Sequence, residues 1–346
     1  MAIYYVDPLN GNDGNTGLNP TTQQWLTTQK ALDNVVGGDE VRLMNTQTET
    51  LSTTLTETTT GSDELPIQLI GADSNGDALT TGHYTISANG IGANLYDVSL
   101  DWYIWKHVRF TDADATFNNI SETLNVGSHH SFINCRMDNA GANGVLVEAP
   151  SWQFRGCEID NNGSLGIDVD GLNRATMSLL NCSLHDNVSH GMELAGSNNT
   201  VKNCLFYNNG GSGILANRYT ARLMITENIF YNNDGSGIEF NGAESNQDNV
   251  WVFNNIMASN GAYGADVDAS FNPETWLFDY NSYYNNTSNA VSWLGTSYAE
   301  GDINGNGFGN NNVGGDPLFT SVTPGAEDFT LQSGSPCLDV GLGYNG

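Results

Sequence analysis

In the central part of the chain, apolar residues recur at fixed distances from a repeated marker residue. The marker recurs at intervals of 22 to 27 residues, as Cys135, Cys157, Cys182, Cys204, Asn228, Asn255 and Asn281. An apolar or aromatic residue stands three positions before and two positions after every marker, and a glycine stands nine positions after each of the first six. A short, constant period of this kind is typical of a solenoid.

Each repeat predicts three short strands. After the glycine the chain alternates between apolar and polar residues, as in Ile167-Asp168-Val169 and Ile238-Glu239-Phe240, and a period of two indicates a strand. A leucine-rich repeat has a similar period but needs a helical segment in every repeat. The corresponding segments here, such as DNNGSLG and YNNDGSG, are turn formers and poor helix formers. The pattern therefore predicts an all-β, single-stranded parallel β-helix.

In that fold, successive coils stack about 4.8 Å apart, so the markers form one buried column. Stacked asparagines can hydrogen-bond from coil to coil and satisfy their own amides. Neighbouring cysteines would be close enough for a disulfide. Reduced thiols are favoured over disulfides, because a buried cysteine packs well as a small hydrophobic residue.

The 346 residues predict one elongated structural domain, since a solenoid grows along a single axis. Residues 1–40 are predicted to form an N-terminal cap, with a short amphipathic helix between Trp25 and Val36 that covers the first coil. Residues 41–346 form the β-helix, with regular coils at about 131–293 and a closing segment at 296–346.

Both ends of the chain resemble known β-helix proteins. The segments YYVDPLNGNDGNTG and WLTTQKALDNVVGGDEVRL are similar to the entry segment of right-handed parallel β-helix proteins of the pectate-lyase-like superfamily, including its phage and bacterial surface members. The segment GGDPLFTSVTPGAEDFTLQSGSPCLDVG resembles the closing segment of that family. The resemblance implies a right-handed parallel β-helix and leaves the activity open, because this fold carries many functions.

Charge and hydropathy exclude several classes of partner. The formal net charge is −29, with only three lysines and seven arginines, so nucleic acid is not an expected partner. No apolar run approaches the ~18 residues that span a membrane. The N-terminus shows no basic region followed by an apolar stretch, so no signal peptide is visible. We expect an extracellular or virion-surface protein.

The strand after the glycine carries the candidate chemistry. If its apolar residues point inward, its polar residues form an outward acidic stripe in register. The members of this face are Asp168, Asp170, Glu193, Leu215, Asn217, Glu239, Asn241, Asp266 and Asp268, with Glu148 one coil earlier.

The stripe has several interpretations. It can be a charged solvent face that prevents sheet pairing. It can hold Ca²⁺ between Asp168, Asp170 and Glu193. It can hydrolyse glycosides with two carboxylates roughly 5–9.5 Å apart, either Asp168 and Glu193 on adjacent coils or Asp168 and Asp170 on one strand. In this superfamily a lyase often uses Lys or Arg as its base, and Arg218 is the best-placed candidate, with Tyr219 and His190 near enough to contribute.

Two functions follow from this pattern. The first is a structural or adhesive surface protein of the bacteriophage-virion type, which presents a rigid face to cell-surface or acidic polysaccharide and docks on other virion proteins. The second is a polysaccharide lyase or glycoside hydrolase that works along the acidic stripe. No cofactor is required, apart from a possible Ca²⁺.

Overall fold

The computed structural model of the protein describes residues 1–122, 129–170, 176–217, 221–242, 249–270, 275–306 and 308–342. The chain divides into two compact units, Met1–Ser178 and Leu179–Gly346. Each unit is built from short strands in three sheets, which we name by their place in the repeat. Sheet A precedes the marker, sheet B follows it, and sheet C follows the glycine. One strand of sheet A, Met177–Leu180, contains the division.

In the first unit the strands follow one another as A, B and C in every regular coil. Sheet A contains Ile3–Val6, Glu40–Met44, Ile67–Ala72, Tyr103–Lys106, Ser131–Ile133 and Trp152–Arg155. Sheet B contains Glu49–Thr50, Tyr84–Ser87, Val108–Thr111, Arg136–Asp138 and Glu158–Asp160. Sheet C contains Leu55–Thr56, Tyr96–Val98, Ile120–Glu122, Val145–Val147 and Ile167–Val169.

The second unit repeats this order. Sheet A contains Thr200–Lys202, Met224–Thr226, Trp251–Phe253 and Leu277–Asp279. Sheet B contains Ser183–His185, Leu205–Tyr207, Ile229–Tyr231, Ile256–Ala258, Ser282–Tyr284 and Val313–Gly314. Sheet C contains Met192–Leu194, Ile214–Ala216, Ile238–Phe240, Tyr263–Val267 and Asn289–Trp293, followed by the antiparallel strand Thr296–Tyr298.

Within each unit, a strand pairs in parallel with the equivalent strand of the next coil. Phe132 is the register partner of Phe154 in the first unit, and Phe206 is the partner of Phe230 in the second. Repeat positions therefore become rows, with apolar side chains inside and polar side chains outside. The prediction of a right-handed parallel β-helix is confirmed.

The predicted N-terminal helix exists but is shorter than the pattern suggested, since it spans only Thr28–Leu32. Trp25 is extended instead, and it forms a bridge to Val6. The Asp13 carboxylate accepts hydrogen bonds from the backbone N–H groups of Leu26 and Thr27, which holds this segment out of the helix. The Thr27 side chain then caps the first turn by accepting from the Lys30 N–H.

Two corners of every regular coil need a residue with a positive φ angle. The first lies just before the marker, at Asn134, Gly156, Asn181, Asn203, Glu227, Asn254 and Tyr280. The second follows sheet B, at Asn139, Asn161, Asp186, Asn208, Asn232, Ser259 and Asn285. Asparagine and glycine adopt this left-handed conformation most readily, which explains the Asn/Gly content of the repeat.

The repeated glycine has a steric cause. A Cβ atom on Gly213 would lie 2.6 Å from a ring carbon of Phe230 and 2.7 Å from the carbonyl oxygen of Gly237. The aromatic row of sheet B therefore packs closely against the start of sheet C only if no side chain intervenes.

The marker column is a hydrogen-bonded ladder in the second unit. The Asn255 Oδ1 accepts from both the backbone and the side-chain N–H of Asn228, each at 3.0 Å. The Asn255 Nδ2 donates to the Asn281 Oδ1 at 3.0 Å and to the Ile225 carbonyl at 3.0 Å. All five cysteines are reduced, and Cys135, Cys157, Cys182 and Cys204 are buried, as the preference for reduced thiols predicted.

A second ladder, which the sequence pattern did not predict, lies at the corner between sheets B and C of this unit. Its members are Asn187, Asn209, Asn233, Asn260 and Asn286, and each of the first four donates from Nδ2 to the Oδ1 of the next at 2.9–3.0 Å. These four side chains are at most 2% exposed. From the Cys204 coil onward, the two ladders together hold each regular coil of the second unit at two points.

The C-terminal segment packs on the outer side of sheet B in the second unit. Phe319–Thr323 and Ala326–Leu331 form an antiparallel hairpin. The ring of Phe329 packs against Tyr207 and Tyr231, with centroids 5.2 and 5.5 Å away. This outer face of sheet B is therefore partly covered by the chain itself.

Buried carboxylates close the corners after sheet C in the first unit. Glu122 accepts hydrogen bonds of 2.7 Å from the backbone N–H groups of Glu148 and Ala149. In the same manner, Glu57 accepts from the backbone N–H groups of Ser99 and Leu100. Burial raises the pKa of Glu122 to about 8 against the effect of these two bonds, and the charges of Glu148 and Glu57 add to the rise. The Oε1 atom of Glu122 has no hydrogen-bond partner among the described residues.

We expect Asn255→Ala to lower the free energy of unfolding by about 3 kcal/mol, because it leaves buried donors and acceptors on both neighbouring coils without partners. Cys204→Asn is the matched control. The Cys204 N–H already donates to the Asn228 Oδ1 at 2.9 Å, so an amide at position 204 extends the ladder and costs less than about 1 kcal/mol. Guanidinium unfolding, followed by tryptophan fluorescence, measures the free energy of unfolding of both variants. An Asn255→Ala protein as stable as the wild type would refute the structural importance of the ladder.

We expect Glu122→Gln to remove a pH dependence of stability. The folded state holds an extra proton between the ordinary glutamate pKa of about 4.5 and the raised value of about 8, so wild-type stability falls as pH rises through that window. The variant should match the wild type near pH 4 and exceed it above pH 8 by at most a few kcal/mol. Thermal unfolding across this pH range tests it, with the exposed Glu64→Gln as control. Parallel curves for wild type and Glu122→Gln would contradict the expectation.

Candidate functional site

The outward face of sheet C in the second unit carries an acidic row. Its members, in register from coil to coil, are Glu193, Leu215, Glu239, Asp266 and Ser292. The residues that flank each of them along its own strand point inward and are buried, as Ile238 and Phe240 are on either side of Glu239. Adjacent members lie about 4.8 Å apart, which is the spacing between neighbouring strands.

A second row runs parallel to the acidic row, two residues further along the chain and just past the end of each strand. It contains Asn217, Asn241 and Asp268, whose backbone N–H groups continue the ladder by donating to the preceding coil at 3.1 Å. The side chains of the two rows are linked, because the Asn217 amide donates to Glu193 and the Asn241 amide donates to Glu239. The face therefore presents hydrogen-bonded carboxylates and amides rather than separate charges.

The two aspartates of one strand differ in acidity. Partial burial raises the pKa of Asp266, and the charges of Glu239 and Asp268 raise it further, against a hydrogen bond from Ser292 that lowers it. Hydrogen bonds from the hydroxyl and backbone N–H of Ser270 hold the pKa of Asp268 below its ordinary value. A pair of carboxyl groups whose pKa values are pushed apart can divide the roles of acid and base.

Ser212 connects two of the predicted site residues. Its hydroxyl donates to the Glu239 Oε2 at 2.7 Å, and its backbone N–H donates to the His190 Nδ1 at 2.7 Å. The hydroxyl thus faces the carboxylate and not the imidazole, so the three groups do not form a nucleophile–base pair. Their effect is to fix the orientation of the Glu239 carboxylate.

In the first unit, sheet C is less acidic. Asp168 lies outward in its strand and accepts a hydrogen bond of 3.0 Å from the Asn143 amide, while its register neighbour is Leu146. Asp170 is exposed just beyond the strand. Burial raises the pKa of Glu148, and the charge of Asp170 raises it further.

The structure brings some of the predicted residues together. Glu239, Asn241, Asp266 and Asp268 form one cluster, and His190 joins it through Ser212. Glu193 lies on the same face but is separated from Glu239 by Leu215. Arg218 and Tyr219 lie outside the described residues. Asp168 and Asp170 belong to the first unit and Glu193 to the second, and their roles as catalytic groups or as Ca²⁺ ligands stay predictions.

Ser212 and Ser292 were missed from the sequence. Each lies at a position where serine is common, and neither belongs to a recognisable motif. Only the register shows that Ser212 reaches Glu239 and that Ser292 is the neighbour of Asp266. A repeat-by-repeat alignment that included the row positions would have found Ser292, because it occupies the place of the acid.

The arrangement suits recognition of hydroxyl groups and, in one cluster, acid–base chemistry. Ionised carboxylates accept hydrogen bonds from hydroxyls, and the side-chain amides can donate as well as accept. Pairing of neighbouring strands places the backbones of Glu239 and Asp266 about 4.8 Å apart, and two residues along an extended chain, such as Asp266 and Asp268, span about 6.6 Å. Side chains on such backbones can reach the carboxyl separations that glycoside hydrolysis uses, roughly 5–9.5 Å.

Comparison with known proteins agrees with the fold. The family model for the right-handed β-helix region matches residues 123–275. A search of curated proteins found no match. Among the described residues no helix is long and apolar enough to cross a membrane.

Several solved structures are similar. Pectate lyase Pel9A is 18% identical, with a TM-score of 0.72 over 99% of this chain and 92% of its own. ORF18 of Geobacillus virus E2 is 14% identical, with a TM-score of 0.57 over 90% of this chain and 60% of its own. The enzymatically active domain of bacteriophage CBA120 tailspike protein 2 is 13% identical, with a TM-score of 0.53 over 87% of this chain and 42% of its own. This chain therefore has the right-handed parallel β-helix fold of pectate-lyase-like proteins.

Proposed function

We propose that this chain is a rigid, glycan-binding surface protein of the bacteriophage-virion type, located on the virion or outside the cell. The outward face of sheet C in the second unit would contact cell-surface polysaccharide. The observation that carries this proposal is the acidic row, in which Glu193, Glu239 and Asp266 are held in register on one parallel sheet. A chain of sugar hydroxyls would meet a matching series of acceptors.

The rigidity of the scaffold supports this role. The two asparagine ladders fix the coils of the second unit at two corners, so the row keeps its spacing when a ligand binds and little ordering entropy is lost. The similarity of the fold to two phage proteins supports a virion setting, in which other virion proteins would be partners.

The charge of the row decides which glycans it would bind. Neutral polysaccharides can donate hydroxyl hydrogen bonds to the carboxylates directly. Polyuronates would be repelled by the carboxylates of this row unless Ca²⁺ bridged the two sets of carboxylates. We therefore propose neutral glycans as direct ligands of the acidic row, and Ca²⁺ as a requirement for acidic glycans at this face.

We expect the double variant Glu239→Ala/Asp266→Ala to weaken binding of a neutral cell-surface polysaccharide at least tenfold, or about 1.4 kcal/mol, because two adjacent acceptors are lost. Isothermal titration calorimetry in EDTA with a panel of neutral polysaccharides measures it. Asp234→Ala is the control, since it removes one exposed carboxylate from the corner between sheets B and C. Unchanged affinity of the double variant for a glycan that the wild type binds would refute this face as the binding surface.

A second candidate function is glycoside hydrolysis at the same cluster. It is favoured by the raised pKa of Asp266 beside Glu239 and Asp268. Asp266 would give its proton to the glycosidic oxygen. Glu239, at the shorter spacing, could act as nucleophile, or Asp268, at the longer spacing, could activate a water molecule.

If the cluster is hydrolytic, Asp266→Asn should lower kcat by at least about 100-fold, because the amide cannot donate the proton that the leaving group needs. Binding should be retained. Wild-type activity should fall as pH rises through the raised pKa of Asp266. Release of new reducing ends measures turnover, and Asp234→Asn should keep full activity. No new reducing ends across a broad panel of neutral and acidic glycans, from folded wild-type protein, would leave binding alone as the function.

A further inference from the structure

The outward face of sheet A in the second unit carries a row of a different character. Thr200, Met224, Trp251 and Leu277 are register partners from coil to coil. Trp251 is 47% exposed and Leu277 is 37% exposed, whereas the inward residues of the same strands are buried. An exposed indole on a rigid strand, with apolar neighbours on both sides, is a typical ligand-binding surface.

A polar row lies beside it, at the corner two residues before each strand begins. Asn198, Arg222 and Asn249 occupy this row, and all three have positive φ angles between 53° and 63°. Together with Thr200, Met224 and Trp251 of the first row they line a groove of about 450 Å³, whose remaining wall includes Leu223. That volume lies in the range of small-molecule sites.

Arg222 is unusual in the polar row because its two neighbours in the row are asparagines. Its φ angle of 53° is one that asparagine adopts with less strain, and asparagine is the residue at both neighbouring positions of the row. The strain is compatible with a functional reason for the guanidinium.

The charge of the groove differs from that of the rest of the second unit. The whole chain has only ten lysines and arginines against 39 acidic residues. In the second unit, Lys202 is paired with Glu227 at 3.1 Å. Arg222 is exposed and has no ion pair within the part of the unit that the structure describes. The groove therefore places the Arg222 guanidinium, which has no ion-pair partner among the described residues, next to the exposed indole of Trp251. A cation beside an exposed aromatic ring complements a sugar ring that carries a carboxylate.

We propose that this groove binds an anionic pyranose, such as a uronate residue of a polysaccharide. The sugar ring would stack on Trp251, its carboxylate would pair with Arg222, and the amides of Asn198 and Asn249 would bond its hydroxyls. This inference rests on the proposed glycan-binding function and adds a class of sugar to it. It also provides a way to hold acidic glycans that needs no Ca²⁺, in contrast to the acidic row of sheet C.

A protein partner fits the groove less well. A stable protein–protein interface buries about 800 Å² on each side. In the second unit, Trp251 and Leu277 are the only exposed large apolar residues among the described strands of sheet A. The polar row of amides and one guanidinium matches the hydroxyl and carboxylate groups of a sugar.

The test compares each anionic glycan with its own neutral form. Oligomers of galacturonate, of mannuronate and guluronate, and of glucuronate would be titrated in EDTA at low salt, beside the same oligomers after reduction of their carboxyl groups. Calorimetry gives the affinities, and quenching of tryptophan fluorescence reports contact with Trp251. We expect at least one anionic series to bind at least tenfold more tightly than its reduced form, with the difference lost at high salt.

Four variants assign the contacts. Arg222→Gln should abolish the preference for the charged form, and Arg222→Lys should keep part of it. Trp251→Ala should weaken both forms at least tenfold at this groove and remove the quenching. Lys202→Gln, which removes the paired cation, should behave as the wild type. Circular dichroism confirms that each variant is folded, and Trp251→Phe provides an aromatic replacement if the alanine variant does not fold.

Two results would overturn the inference. One is the absence of any preference for a charged form in the wild type. The other is a preference that survives both Arg222→Gln and Trp251→Ala. If the wild type still binds a neutral glycan, and the Glu239→Ala/Asp266→Ala variant does not, then only this inference has failed. Absence of binding by every glycan, neutral and charged, would remove the proposed function as well.

Discussion

The structure depends on hydrogen bonds that run from each coil to the next at the same position of the repeat. Parallel strand pairing supplies most of them, and the asparagine ladders extend them to the corners, where the backbone turns and its pairing would otherwise be interrupted. An asparagine amide in such a ladder both accepts from one coil and donates to the next, as Asn255 does between Asn228 and Asn281. Because register is fixed at the corners, every other repeat position is fixed too.

This constraint turns a one-dimensional pattern into surfaces. A residue type that recurs at one repeat position becomes a row, and each sheet of the second unit presents a different row to its surroundings. Sheet C presents carboxylates and amides, sheet A presents Trp251 with Arg222 beside it, and the C-terminal hairpin covers part of sheet B through Phe329. Two exposed faces of opposite chemical character suit a glycan that has hydroxyls throughout and charges on some of its residues.

The fold could be predicted from the sequence because its cause is periodic. The marker, the glycine and the alternation after the glycine each repeat at a countable spacing, and each reflects a local structural requirement. The second ladder was not predicted, because Asn209 and Asn233 lie among other Asn and Gly residues that also serve as turn formers. The start of the N-terminal helix was misjudged because Asp13, which is distant in sequence, holds Leu26 and Thr27 extended, and periodicity does not show such a contact.

The candidate site could be predicted only in part. Alternation placed Glu239 and Asp266 on one outward face. The acidity of Asp266, however, depends on burial and on Ser292, and the orientation of Glu239 depends on Ser212. These contacts exist only in the tertiary structure and cannot be read from the sequence. The groove of sheet A was missed because Trp251 and Arg222 belong to coils separated by insertions of unequal length, so that only the register reveals their shared face.

The most direct test of the central claim is carboxyl footprinting with a bound polysaccharide. Carbodiimide-driven labelling would be measured by mass spectrometry, residue by residue, with and without a neutral glycan that the protein binds. Selective protection of Glu239, Asp266 and Asp268, with Asp234 labelled equally in both states, is the result that the acidic row predicts. Equal labelling of these three carboxyl groups with and without bound glycan would show that the glycan binds elsewhere and would contradict the account.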